Sequence, residues 1–193
     1  MEKELIIFDF FGVISSEVFP IWAKKHFSPT ETKTIRKDII EKGDKGIITE
    51  KEVFNLLSKI TGEDSEKILN DWLEIAVINN EMIKLIRKLR KKYKTALLSN
   101  AVGEFLNKIL ARIDTDELFD LMVISSEENM TKPGKEIFEL LLSKMNIQAC
   151  KSIFIDDNIL NVEAAREIGI DSILFENIEK LKSTLLFYNI ENE

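Results

Sequence analysis

Two short apolar runs in this chain each stop on carboxylates. Leu5-Ile6-Ile7-Phe8 ends at Asp9, and Ser152-Ile153-Phe154-Ile155 ends at the pair Asp156-Asp157. Runs of this kind are expected of parallel strands buried on both faces, and the residue after such a strand lies on the carboxyl edge of the sheet, where open α/β folds bind ligands. Acidic groups gathered on one edge repel each other unless a cation lies among them. Hard oxygen donors with no histidine or cysteine beside them favour Mg²⁺. The pattern therefore predicts a magnesium site among these carboxylates, with a candidate nucleophile.

Other apolar runs also end in polar residues. Leu97-Leu98 is followed by Ser99-Asn100, Ile124 by Ser125-Ser126, and Lys132 stands beside Pro133 in a loop before a helical segment. Taken singly, each is a common cap or turn sequence. Their occurrence together, in this order, is far more specific.

The elements that must position these residues follow from periodicity. From about residue 79 the chain alternates helical and strand-like segments: helices near 81–92, 102–113, 135–145 and 159–168, and strands at Thr95–Leu98, Leu121–Ile124, Ser152–Ile155 and Ser172–Phe175. Such alternation predicts right-handed crossovers and a parallel sheet covered on both faces. Residues 16–78 have helical period and no convincing strand. Two capping boxes, Ser28-Pro29-Thr30-Glu31 and Thr49-Glu50-Lys51-Glu52, open helices there, and Gly43-Asp44-Lys45-Gly46 reads as a loop. The expected fold is thus α/β: a Rossmann-like parallel-sheet core from residues 1–15 and 79–193, carrying an inserted helical cap domain over 16–78.

Composition narrows the function classes. A net charge of −7 argues against a nucleic acid as the main ligand, because such binding draws its affinity from neutralised phosphates. The basic run Arg87–Lys94 reads as a solvated helix end. No apolar stretch is long enough to span a membrane. A lone cysteine, Cys150, leaves no internal disulfide, and no charged-then-apolar leader opens the chain, so a cytoplasmic location is expected. The single histidine, His26, rules out a histidine-rich zinc cluster and reads as a helix-end residue. No feature of the sequence sets an oligomeric state. Phe19, Trp22, Phe27 and Trp72 either line a pocket or pack the helical segment.

The order Asp9-Phe10-Phe11-Gly12-Val13, Leu98-Ser99-Asn100, Thr131-Lys132-Pro133 and Phe154-Ile155-Asp156-Asp157-Asn158 resembles the four motifs of the haloacid dehalogenase-like hydrolases. The resemblance spans essentially the whole chain and includes the position of the helical cap. The segment from Asp156 to Ala165 looks like the branch holding bacterial sugar phosphatases and the phosphatase domain of soluble epoxide hydrolase. By this resemblance Asp9 forms an aspartyl-phosphate, and Ser99, the Asn100 amide and Lys132 grip the phosphoryl oxygens. Asp157 anchors Mg²⁺ with help from Asp156 and the Phe11 carbonyl, and the substrate is a small phosphorylated metabolite. Asn161 is expected to fix neighbouring groups rather than bind the ion.

One position departs from the pattern. The phosphatases of the family carry a second aspartate two residues after the nucleophile, as acid for the leaving group and base for water; here that residue is Phe11. General acid and base catalysis contributes about 10²- to 10⁴-fold. Three readings stay open: a phosphatase whose substrate has a good leaving group or which recruits another acid, a haloacid dehalogenase, and a non-catalytic binding protein on the same fold. The Asp156-Asp157 pair favours the first, because an extra carboxylate would repel the carboxylate substrate of a dehalogenase.

Overall fold

The computed structural model describes residues 2–190. Five strands, β1 (Leu5–Phe8), β2 (Lys94–Ser99), β3 (Leu121–Ile124), β4 (Ser152–Asp156) and β5 (Asp171–Leu174), form one parallel sheet in the order β3-β2-β1-β4-β5. The predicted strands all form, with bounds shifted by a residue or less. Around them run α6 (Asn80–Leu89), α7 (Gly103–Leu110), α8 (Ser125–Glu128), α9 (Lys135–Met145), α10 (Ile159–Glu167) and α11 (Ile178–Phe187).

Side chains alternate across the sheet, as the two-residue period of a strand requires. Ile6, Phe8, Leu97, Ile153 and Ile155 pack on one face; Leu5, Ile7, Leu98, Val123 and Phe154 pack on the other against Ile137, Phe138 and Leu141 of α9. Covering both faces explains why the strands read as continuous apolar runs.

Residues between β1 and α6 are helical, as expected: α1 (Phe19–Ala23), α2 (Pro29–Ile35), a π-helical turn (Arg36–Ile40), α3 (Glu41–Asp44), α4 (Glu50–Thr61) and α5 (Ser65–Ile75). Both capping boxes are present. Ser28 exchanges hydrogen bonds with Glu31, and Thr49 with Glu52, satisfying backbone N–H groups that a helix start leaves unpaired. An antiparallel bridge between Ser15 and Ile78 joins the two ends of this segment. Its apolar face is not an independent core. Trp22, Phe54, Leu57, Ile68 and Trp72 belong to the same buried cluster as Phe8 and Phe10.

The basic run lies at an exposed helix end, as expected, although the helix stops at Leu89 rather than 92. Two cations beyond it also make contacts. Arg90 donates to the carbonyls of Asp116 and Phe119, and Arg90 and Lys94 both pair with Asp120. These contacts tie down the segment leading into β3. Among the described residues no helix is long and apolar enough to cross a membrane.

Candidate active site

Strand order places the site. From β1 the chain winds outward to β2 and β3, then returns across the sheet to β4 on the other side of β1. Loops leaving β1 and β4 therefore diverge and open a crevice at their carboxyl ends. Phe8 is in register with Ile155, and the Asp9 N–H donates to the Ile155 carbonyl at 2.9 Å, so the pairing brings Asp9 beside Asp156. Carboxylate oxygens of Asp9, Asp156 and Asp157 lie within 4.8 Å of one another.

Lys132 enters from the loop before α9. Its Nζ donates to Asp9 Oδ1 at 2.7 Å, Asp156 Oδ2 at 2.7 Å and the Leu98 carbonyl at 2.9 Å, which employs all three ammonium protons. Asn100 aims the loop. Its side-chain amide donates to the Lys132 carbonyl at 2.8 Å and accepts from the Lys132 N–H at 2.9 Å, so the Asn100 side chain acts on the backbone of Lys132.

Asp156 is fully buried, and both its oxygens are crowded with donors. Oδ1 accepts from the Asn158 N–H at 2.7 Å and Asn161 Nδ2 at 3.1 Å; Oδ2 accepts from Asn161 Nδ2 at 3.0 Å and from Lys132. Asn161, one turn into α10, thus holds a carboxylate in place. Asp157 is the more open member of the pair and lines the cavity. Gly12 makes room for it: at φ +82° the backbone is left-handed, and a Cβ there would sit 2.1 Å from Asp157 Oδ2.

Ser99 ends β2, fully buried, and its Oγ has no hydrogen-bond partner among the described residues. A buried hydroxyl without a partner is costly. Phe11, in place of the expected second aspartate, turns its ring onto Phe105, nearly parallel with centroids 6.2 Å apart.

A cavity of about 410 Å³ opens over Asp9. Asp9, Asn100, Lys132, Asp157 and Asn161 line its base, and Phe11, Phe54, Trp72 and Phe105 form an aromatic wall. Of the four aromatics left undecided by the sequence, Phe19 and Trp72 reach the cavity, Trp22 is buried in the core with its ring 4.4 Å from that of His26, and Phe27 packs against the core. Sequence reasoning did not single out Glu17, Arg36 and Asp44, which also line the cavity. They come from the turn after β1, the π-helical turn and the end of α3, and no motif or period marks them.

Charge at the crevice is unbalanced. Burial pushes the Asp9 carboxyl well above the ordinary range, with Lys132 opposing and Asp156 adding to the rise. Burial also works against the Lys132 ammonium, but Asp9 and Asp156 outweigh it and hold Lys132 above the ordinary lysine value. Asp157 is raised by burial and by Asp156. Three carboxylates facing one ammonium leave an excess of negative charge that a divalent cation would cancel, and an all-oxygen donor set suits Mg²⁺.

A parallel sheet with its carboxylates at the switch point defines a Rossmann-like α/β protein with an acidic ligand crevice, and comparison with known proteins gives the family. Residues 3–169 match the haloacid dehalogenase-like hydrolase family, and the chain belongs to it. It is 23% identical over 188 residues to the D-ribitol-5-phosphate phosphatase of Bacteroides thetaiotaomicron, covering 89% of this chain and 91% of that one. It is 26% identical over 123 residues to a phosphorylated carbohydrates phosphatase of Thermotoga maritima, covering 64% and 56% of the two chains. The chain thus spans little more than half of the Thermotoga relative, and it spans a third of a fungal relative that it also matches. Among solved structures, a haloacid dehalogenase-family enzyme of B. thetaiotaomicron, in complex with magnesium and inorganic phosphate, superposes with a TM-score of 0.78 at 25% identity, covering 93% of this chain and 98% of that one.

Proposed function

We propose that this chain is a Mg²⁺-dependent phosphatase that acts on a small phosphorylated metabolite, a sugar or polyol phosphate being the favoured class, through an aspartyl-phosphate at Asp9. The observation that carries the reading is Asp9 itself, fixed through Oδ1 by the Phe10 N–H at 2.7 Å and by Lys132, beside the acidic pair at the end of the neighbouring strand. Phosphatase relatives support the substrate class.

In this mechanism the donors on Oδ1 orient the carboxylate and leave its other oxygen to attack phosphorus. A bond forms from Asp9 to phosphorus as the bond to the leaving oxygen breaks; water then attacks the same phosphorus and returns the carboxylate. Ser99 Oγ donates to a phosphoryl oxygen, which gives the buried hydroxyl its missing partner. Lys132 and the Asn100 N–H add positive potential where oxyanions crowd. Asp9, Asp157 and the Phe11 carbonyl would hold Mg²⁺, with Asp156 supporting from behind through Asn161 and Lys132. When bound, the ion screens the repulsion between a carboxylate and a phosphate dianion. Residues 16–78 act as a cap that closes the cavity over the substrate.

Phosphate release should require Mg²⁺, stop with EDTA and vanish in Asp9→Asn with the fold retained. An unchanged rate in Asp9→Asn would overturn the mechanism. Metal-independent chloride release from a 2-chloro acid would replace the reading with a dehalogenase.

A further inference from the structure

We propose that Asp44, carried by the helical segment, performs the proton transfers that Phe11 cannot: it protonates the leaving oxygen and later takes the proton of the attacking water. The inference rests on the phosphatase reading and goes beyond it in naming the acid.

The position of Asp44 is built by contacts rather than left to a free loop. Its carbonyl accepts from Ser125 Oγ at 2.5 Å, and Ser125 Oγ in turn accepts the Ala101 N–H at 3.0 Å, so the end of α3 is tied to the segments that follow β2 and β3. Two residues on, Gly46 has φ +69°, and a Cβ there would lie 2.4 Å from the Ser126 carbonyl. Only glycine allows the turn to approach the core backbone this closely. The π-helical turn before α3 sets the register of this end, and residues of such turns cluster at functional sites. Asp44 lines the same cavity as Asp9, Lys132 and Asp157, and its carboxyl feels the charges of Arg36, Glu17 and Lys132 there.

Charge around Asp44 suits an acid that must also be a base. Arg36 faces it from the π-helical turn, Glu41 from its own helix, Glu17 from the turn after β1, and Lys132 from across the cavity. The acids of α8 are turned elsewhere: Glu128 pairs with Lys144, and the Glu127 carboxylate lies against Gly103. Burial, only partly offset by Arg36, pushes the Asp44 carboxyl up to about 7, so both forms are populated at neutral pH. Glu17, also raised by burial, feels the repulsion of Asp157 and Asp156, whereas the acids that act on Asp44 are Glu41 and Glu17.

The step balances. As Asp9 bonds to phosphorus, the electron pair of the breaking P–O bond stays on the leaving oxygen, which takes the Asp44 proton and departs as an alcohol. The Asp44 carboxylate then accepts a proton from the water that attacks phosphorus, and the Asp9–phosphate bond breaks with its electron pair returning to Asp9. Both groups end as they began.

The test is the leaving-group dependence of kcat/KM over substituted phenyl phosphates, p-nitro to p-methoxy, with Mg²⁺. A good leaving group needs no proton. Asp44→Asn should therefore lose about 10²-fold or more on the poorest leaving group and less than about 10-fold on p-nitrophenyl phosphate. For the poorest ester the wild-type rate should fall as pH rises through the Asp44 transition, and this limb should be absent in Asp44→Asn. Equal loss on every ester, or the steepened dependence appearing in Glu17→Gln instead, would overturn the assignment. Should Asp44→Asn fail to melt cooperatively, Asp44→Glu carries the comparison: a shallow leaving-group dependence supports the acid role and a steep one overturns it. If wild type and Asp9→Asn release no phosphate alike, the phosphatase reading itself falls. If only Asp9→Asn is silent, the outcome for Asp44 stands by itself.

Discussion

The role proposed for Ser99 sets function against stability. The buried Ser99 hydroxyl has no partner among the described residues, while every donor of Lys132 and both oxygens of Asp156 are occupied. Replacing such a group by a methyl removes an unsatisfied donor and leaves the packing nearly unchanged. Ser99→Ala should therefore melt within about 0.5 kcal/mol of wild type, or slightly above it, while phosphatase kcat/KM falls about 10-fold or more. Thermal denaturation and phosphate release, read on the same sample, check both halves. A large loss of stability would mean that the hydroxyl is satisfied within the fold. Asn161 is the opposite case under the proposed mechanism, because its amide holds the buried Asp156 that in turn holds Lys132.

Among the elements, the turn after β1 carries the tightest constraint. Strand β1 delivers Asp9, and within three residues the chain must release Phe11 toward the aromatic wall and pass Asp157 without touching it. Gly12 meets both demands through its left-handed backbone and its missing side chain. Gly12→Ala adds backbone strain of about 1 kcal/mol and drives a methyl group into the Asp157 carboxylate. Its expected signature is a melting temperature lowered by several degrees together with a raised Mg²⁺ requirement, measured by titrating activity with the metal. Wild-type metal dependence in a folded variant would separate Asp157 from the ion. The same reasoning explains why Phe11 is tolerated: its ring stacks on Phe105 and meets Phe10 edge-on at 5.0 Å, so the side chain has a packing role where an aspartate would have had a chemical one.

For the whole molecule, the question is how the helical segment rides on the sheet. One buried cluster runs through both, and Glu50 of α4 pairs with Lys108 of α7 at 2.6 Å while Arg112 donates to the Leu73 and Ala76 carbonyls. The turn at Gly46 is the point where that segment meets the backbone after β3. Gly46→Ala should lift this contact, because the added methyl would meet the Ser126 carbonyl. The expected result is a higher KM for phosphate esters and faster limited proteolysis between residues 43 and 48, with cooperative unfolding retained. Unchanged KM and protection would show that the turn bears no part in closing the cavity.

Much of this protein was determined locally. The apolar runs marked the strands because burial on both faces leaves no room for polar residues. The capping boxes at Ser28 and Thr49 marked helix starts because unpaired N–H groups need nearby oxygens. The family motifs brought Asp9, Ser99, Lys132 and Asp157 into view because each stands at the end of a strand or in the loop beyond it. What a residue does with its side chain once there was not written locally. That Asn100 grips the Lys132 backbone, that the basic run beyond Leu89 ties down the segment before β3, and that Trp72 reaches the cavity while Trp22 does not, depend on pairs far apart in sequence. Asp44 is the clearest case. In a Gly-Asp-Lys-Gly stretch it reads as loop punctuation, and only the docking of α3 against Ser125 and Ser126 puts its carboxyl in the cavity with Asp9. Local sequence carries backbone preference and burial; the meeting of charges across a crevice is a property of the folded chain.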